Sequence, residues 1–344
     1  MNKVNLTDLD VAEMENLLLC MGEKPFRGRQ ICQWVLQKGV KEFNQMSNIS
    51  KDLRQKLQQA TKLGGLNILA RQQSDDGNTI KYLFEFPDGE AVESVLMKHS
   101  YGRSACVSTQ VGCRMGCRFC ASTLEGMVRN LTAGEIYDQV LGIQHDTGER
   151  VSHVVLMGSG EPLDNYHNTI KFIKNITAPY GLQISVRHIT LSTCGIVPGI
   201  KQLAQEKMQI TLAVSLHAPN DQLRDQIMPI NRKYPLGQLI PACKQYAEHT
   251  GRRVTFEYSL MRGVNDREDH AVELGELLRG MLCHVNLIPV NPVKEREYDR
   301  TSREQIDKFK KVLEQSRVNA TVRKEMGADI DAACGQLRRK TMKN

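Results

Sequence analysis

Hydrophobic positions along the chain follow three successive patterns. After a start signal at Thr7/Asp8, Val11, Met14, Leu17, Leu18 and Met21 recur at the spacing of one helix face. Ile31, Trp34 and Val35, and then Leu53 and Leu57, predict two further helices. Beyond residue 65 the period falls to two. Ile80, Tyr82, Phe84 and Phe86 alternate with Lys81, Leu83 and Glu85, residues 87–90 supply a turn, and residues 91–98 return as a second strand. On that strand Glu93 points away from the side taken by Val92 and Ser94.

From about residue 104 strands and helices alternate. Strand-like runs at 105–109, 152–157, 188–192, 210–216, 254–260 and 284–289 are followed by helical patterns at 132–146, 165–177, 197–206, 236–249, 267–280 and 302–316. Thr132 and Glu135 form a capping box ahead of Ile136, Val140 and Ile143. Six strand-then-helix units predict an α/β fold with a parallel sheet, an open, partial (β/α)6 barrel. In such a sheet chemistry collects at the C-terminal strand ends. Neither an internal repeat beyond this alternation nor a low-complexity segment interrupts it.

Composition narrows the class. Of 344 residues, 40% are hydrophobic and 25% charged, as in ordinary globular proteins. No apolar run approaches the ~20 residues of a membrane helix, and no basic-then-apolar leader opens the sequence. A cytoplasmic protein is expected, in which ten cysteines point to metal-binding or catalytic thiols rather than disulfides. The net charge of +7 is matched by residues 24–62 alone, where nine Lys and Arg face only Glu42 and Asp52. Such a basic segment reads either as a footprint for a polyanion or as a solvated helix face. With 5% aromatics, broad base-stacking surfaces are not indicated.

The sharpest chemical signal is Cys113-Arg-Met-Gly-Cys117-Arg-Phe-Cys120, with Gly112 and Gly116 permitting tight turns. Three thiols suit a four-iron–four-sulfur cluster that leaves one iron free for substrate. Zinc with a distant fourth ligand, or merely buried thiols, remain open on spacing alone. Polar residues also stand where apolar strands stop: Glu161 after Gly160, Ser192, Ser215 and His217, and Asn291. Singly each reads as a cap or turn; in series they suit a strand-end site.

The cysteine motif resembles the signature of radical S-adenosylmethionine enzymes. With Ala105-Cys106-Val-Ser-Thr-Gln110, Gly158-Ser-Gly-Glu161-Pro162-Leu163, Ser215-Leu-His-Ala-Pro-Asn220 and Asp329-Ile-Asp-Ala-Ala-Cys334-Gly335-Gln336-Leu337, the chain resembles RlmN-type adenine methyltransferases over nearly its whole length. The resemblance implies methylation of carbon 2 of an adenosine in 23S ribosomal RNA, before full ribosome assembly, and in transfer RNA next to the anticodon. It implies one 4Fe-4S cluster on Cys113, Cys117 and Cys120, and two S-adenosylmethionine molecules per turnover. Gly160, Glu161, Ser192, Ser215, Leu216, His217 and Asn291 match its cofactor contacts. Flavodoxin or ferredoxin is the implied electron donor, and a monomer without membrane contact is expected.

Further roles come only through the resemblance. Cys334 is implied as the methyl carrier, Cys106 as the thiol that resolves a covalent RNA adduct through a transient disulfide, and Glu93 as acceptor of the adenine proton. Taken alone, Cys334 and Cys106 read as buried thiols and Glu93 as an exposed strand glutamate. Many relatives carry Met where Ser159 stands, a change expected to alter packing beneath the site. The expected organisation is a basic helical RNA-binding region over 1–65, a β-hairpin linker over 66–98, the radical core over 99–328 and a carrier segment over 329–344. Two alternatives stand beside this reading. One is the sister activity on carbon 8, disfavoured by Pro162; the other is a zinc-stabilised RNA-binding protein without catalysis, which gives Cys106 and Cys334 no task.

Overall fold

The computed structural model describes residues 3–337; residues 338–344 of the expected carrier segment lie outside the described residues. Near the N-terminus Asp10 accepts from the Glu13 N–H and Glu13 from the Asp10 N–H, and this capping box starts α1 (Val11–Cys20). α2 (Arg27–Cys32) widens into a π turn over Gln33–Gln37. α3 (Lys51–Ala60) buries Leu53 and Leu57 and leaves Lys51 and Lys56 exposed. Two short parallel strands, β1 (Val4–Asn5) and β2 (Thr61–Lys62), close the region.

The alternating apolar residues at 80–86 and 91–98 form β4 (Thr79–Glu85) and β5 (Ala91–His99), which are not an isolated hairpin. β3 (Asn67–Gln73) pairs with β4, and β5 pairs with β6 (Gly102–Cys106), so the flank runs into the main sheet. Periodicity does not predict β3 because nearly all its residues are exposed and its apolar ones, Ile68, Leu69 and Ala70, are consecutive rather than alternating. β6 starts before the expected 105–109 run. Beyond Cys106 the chain still bonds its neighbour, Val107 N–H to Val155 O at 3.0 Å, but leaves regular pairing.

A small hairpin, β7 (Gln110–Gly112) and β8 (Met127–Asn130), then precedes α4 (Ala133–Thr147), whose Thr132–Glu135 capping box forms as expected. Along the chain follow β9 (His153–Leu156), α5 (Tyr166–Thr177), β10 (Ile189–Thr193), α6 (Val197–Gln205) and β11 (Thr211–Ser215). Next come a short α7 (Asp221–Ile227), α8 (Leu236–Thr250), β12 (Val254–Leu260), α9 (Glu268–Leu277), β13 (Cys283–Pro289), α10 (Arg303–Gln315) and β14 (Ala320–Val322). The ten-stranded sheet is ordered β14-β13-β12-β11-β10-β9-β6-β5-β4-β3, with β6 and β9–β14 parallel. Seven parallel strands therefore replace the six expected; β14, with three residues, is too short to show a pattern. Ile136, Val140 and Ile143 of α4 and Phe172, Ile173 and Ile176 of α5 are fully buried in the main core. The helices cover one face of the parallel strands, and alternate residues of the other, among them Val155, Ser192, Ser215 and Glu257, are left to line cavities. Among the described residues no helix is long and apolar enough to cross a membrane.

Candidate active site

The cysteine loop joins β7 to β8. Gly112 (φ +73°) lies so close to the Gly126 carbonyl that no Cβ fits, and Gly116 (φ +72°) makes the second turn. Cys113 N–H bonds Gly126 O at 3.0 Å, and the Thr123 hydroxyl donates to the carbonyls of Cys117 and Cys120. From outside, Arg114 and Gln110 both donate to the Asp164 carboxylate (3.0 and 2.9 Å), holding the loop against the strand-end segment after β9.

The three thiols line one cavity with Gly160, Glu161, Ser192, Ser215, His217, Asn291 and Cys334. Gly160 (φ +106°) packs where a Cβ would collide with Gln110. Glu161 is buried; its Oε1 accepts from Leu163 N–H (3.0 Å) and its Oε2 from Cys194 N–H (2.7 Å). Burial pushes its carboxyl up, and those donors pull it partly back. His217 adopts φ +56°, and its Nδ1 accepts from Ser259 N–H at 2.8 Å. The ring proton is therefore on Nε2, and burial, with help from Arg224, lowers its pKa to about 3, so the imidazole is neutral.

Two expected residues stand elsewhere. The Leu216 side chain is fully buried in the main core and does not line the cavity; its carbonyl accepts from Arg224 Nε at 3.0 Å. Glu93 lines neither this cavity nor the next. It is 2% exposed rather than solvated, 3.5 Å from Lys81 Nζ. By the two-residue period of β5 it shares a face with Val95, Met97 and His99, all of which line the second cavity.

That second cavity lies on the other side of Cys334. Cys106, opposite Val95 in the β5–β6 register, forms its floor, and Asn291, Met157, Ile288, Arg323 and Cys334 belong to both cavities. Burial, reinforced by Cys334, pushes the Cys106 thiol up to about 12. The carrier segment is fastened at several points. Ala121 N–H bonds Gly335 O (2.8 Å), Ser122 Oγ donates to Leu337 O (2.6 Å), and Asn291 Nδ2 donates to Cys334 O (3.0 Å). Asn291 Oδ1 is buried without a partner, an acceptor aimed into the junction. Ser159, buried with its hydroxyl unpartnered, sits beneath the site and outside both cavities.

Sequence reasoning missed two cations here. Arg323, eleven residues before Cys334, lies 3.7 Å from Glu257, and its pKa is raised, first by Cys334 beside it. Arg224, fully buried, donates to the carbonyls of Cys194 (2.7 Å), Ser215 (3.0 Å) and Leu216, pinning the ends of β10 and β11. Neither carries a motif: the partners of Arg323 are distant in sequence, and those of Arg224 are backbone carbonyls and the Asn231 side chain (2.8 Å).

Comparison with known proteins decides the family. Residues 4–63 match the ribosomal RNA large subunit methyltransferase N-terminal domain, and residues 107–275 match the radical SAM superfamily. A probable dual-specificity RNA methyltransferase RlmN from Desulforamulus reducens is 61% identical, covering 98% of this chain and 97% of its own. The protein of the same description from Alkaliphilus oremlandii is 57% identical over all of both chains. The chain belongs to the RlmN family. A crystal structure of a radical SAM methyltransferase from Sphaerobacter thermophilus is 46% identical with a TM-score of 0.93, covering 97% of this chain and 99% of that one.

RlmN-family membership implies S-adenosylmethionine and an iron–sulfur cluster. Cys113, Cys117 and Cys120 fit such a group by their chemistry. Each thiol is pushed up first by burial, and Cys113 and Cys117 also by neighbouring thiols, so the loop needs bound iron to hold three thiolates. Among the described residues no three His, Cys, Asp or Glu side chains converge on a single ion. All three thiols line the same cavity, as a cluster with three protein ligands requires.

Proposed function

We propose that this chain methylates carbon 2 of an adenosine in the peptidyl-transferase centre of 23S ribosomal RNA and of an adenosine next to the transfer RNA anticodon. The observation that carries this reading is the position of Cys334 on the wall common to two cavities, one lined by Cys113, Cys117 and Cys120 and the other floored by Cys106. Carbon 2 lies between two ring nitrogens and is electron-poor, so direct polar transfer from a sulfonium is unsuited to it. Cys113, Cys117 and Cys120 would hold one 4Fe-4S cluster, which would supply the electron for reductive cleavage of S-adenosylmethionine.

The chain's own residues do the rest. Cys334 takes the methyl group of one S-adenosylmethionine by in-line displacement, and a second molecule serves the radical step. Glu161 takes the ammonium group, with Gly160, Ser192, Ser215 and His217 around the remainder of the molecule. Glu93 accepts the proton lost from carbon 2 once the carried carbon has joined the ring, which requires Lys81 to release it, and the surplus electron that the radical addition leaves on the ring passes back to the electron-transfer partner. Cys106 then attacks the Cys334 sulfur: the sulfur–carbon bond breaks, its electron pair stays on carbon, and a proton completes the methyl group as the disulfide forms. A thiol pKa of about 12 keeps Cys106 protonated at rest, so its attack on sulfur requires loss of that proton first.

A flavodoxin or ferredoxin donates electrons, the monomer is the working form, and residues 24–62 present Lys24, Arg29, Lys38, Lys41, Lys51 and Lys56 to RNA phosphates. The test is Cys106→Ala. That variant is expected to co-purify with RNA bonded to Cys334, and absence of the adduct, with Cys334→Ala retaining full activity, overturns the two-cysteine route. Mass analysis of ribosomal RNA from cells carrying only this enzyme separates 2-methyl- from 8-methyladenosine.

A further inference from the structure

The mouth of the second cavity carries an aromatic ladder that the reaction as described does not use. β5 and β6 are joined by two residues, Ser100 and Tyr101, because His99 pairs with Gly102. Tyr101 stacks on His99 (centroids 4.6 Å apart, planes 8° apart) and meets His153 edge-on at 5.1 Å. His153 in turn stacks on His188 at 4.1 Å. His188 Nδ1 donates to the Ser152 carbonyl at 3.2 Å, which fixes the far end. The rings are thus held in place, yet Tyr101 is 65% exposed, more than any other large hydrophobic among the described residues.

A lone exposed aromatic is ordinary on a protein surface, but one oriented by stacked neighbours at the edge of a cavity is a preformed contact. Its surroundings indicate what it meets. Tyr101 and His99 line the same cavity as Cys106 and Cys334, together with Arg323 and an exposed Lys324. The acid on that wall, Glu325, is already paired with Arg300 at 2.6 Å. The rim is therefore aromatic and cationic, the combination that holds a single-stranded nucleic acid by stacking and charge. Burial first, then Arg323 and Lys324, lower the His99 pKa, so that ring adds no charge of its own and serves as a neutral stacking surface.

We propose that Tyr101 is a stacking platform for the nucleobase next to the target adenosine. This rests on the proposed function: an adenine whose carbon 2 must reach Cys334 has to leave its stack, and its neighbour loses a partner in the process. Tyr101 at the cavity rim replaces that partner while the target base descends toward the two thiols. Stacking accepts any base, since every base has a flat face. The platform therefore suits an enzyme with two RNA substrates whose flanking nucleotides differ.

The experiment uses the full, cluster-loaded chain and an RNA hairpin with an unpaired adenosine, carrying 5-iodouridine on one or the other side of it. Irradiation is expected to crosslink one of these positions to the peptide containing Tyr101. Tyr101→Ala is expected to raise KM for the hairpin and weaken its binding by roughly 5- to 100-fold, whereas Tyr101→Phe and Tyr101→Trp keep wild-type values. A hairpin that is methylated with unchanged KM by Tyr101→Ala, or that crosslinks only elsewhere, overturns the platform and leaves the methyltransferase reading standing. A hairpin that the wild-type chain binds but never methylates, while ribosomal RNA also stays unmodified, overturns both.

Discussion

Arg323 and Cys334 share one wall: both line the two cavities, and the guanidinium, 3.7 Å from Glu257, has its pKa raised first by Cys334 and then by Glu257, against the opposing effect of burial. The same side chain lines both cavities, so the cation faces Cys334 at the junction through which the thiol would pass its methyl group. Replacing it with Met is expected to slow methylation of Cys334 about tenfold, the worth of one charge-assisted contact. Arg323→Lys is expected to restore much of the rate. Time-resolved mass spectrometry of the Cys334 peptide measures both, and equal rates in all three proteins would remove Arg323 from that step.

His217 makes stability sensitive to acid. Folded, its pKa is about 3; unfolded, it returns to 6.5. Between those values the unfolded chain binds a proton that the folded chain refuses, so stability falls as pH drops below 6.5. His217→Gln abolishes this titration. Urea unfolding at pH 7.5 and pH 5 is expected to show the variant losing less stability than wild type, by up to about 2 kcal/mol. Parallel losses would mean that the folded ring protonates freely.

Asp138 acts in the opposite sense. Buried on α4, it accepts from Thr7 Oγ1 at 3.3 Å, and burial pushes its carboxyl up to about 8 from 3.8. The stability conferred by its neutral form is complete below pH 3.8 and lost as pH rises through 8. Asp138→Asn keeps an acceptor for Thr7 without the charge. It is expected to stabilise the chain at pH 8.5 by at least about 1 kcal/mol, with no gain near pH 4; thermal melts at the two pH values decide.

Arg224 ties two strand ends together. Arg224→Met leaves the carbonyls of Cys194, Ser215 and Leu216 without their donor. A loss of about 3 kcal/mol is expected, with weaker S-adenosylmethionine binding because Ser215 and His217 follow from that strand end. Calorimetry on the reconstituted protein measures both, and unaltered affinity would show that the strand ends hold their positions without it.

The strand–helix alternation was legible because each helix from α4 to α10, apart from short α7, carries its apolar stripe within one local window. β14 and β3 were not legible: one has three residues, and the other exposes nearly all its side chains. At the site, Cys113, Cys117 and Cys120 announce themselves by spacing, and Gly160 and Glu161 by following an apolar strand. Cys106 and Cys334 are 228 positions apart, and no local pattern brings them together. Leu216 shows the converse error, since its neighbours Ser215 and His217 line the cavity while strand alternation turns its own side chain into the core. Arg323 had no signal beyond being a cation, because its meaning comes from partners supplied by other strands.

The bond from Ser122 to Leu337 spans 215 positions of sequence. Bringing residues so far apart together costs more chain entropy than closing the turns of residues 112–126. The three-cysteine loop is therefore a local unit of the chain, whereas Cys334 is seated beside it only through contacts that close most of the molecule, Ala121 to Gly335 and Ser122 to Leu337 among them.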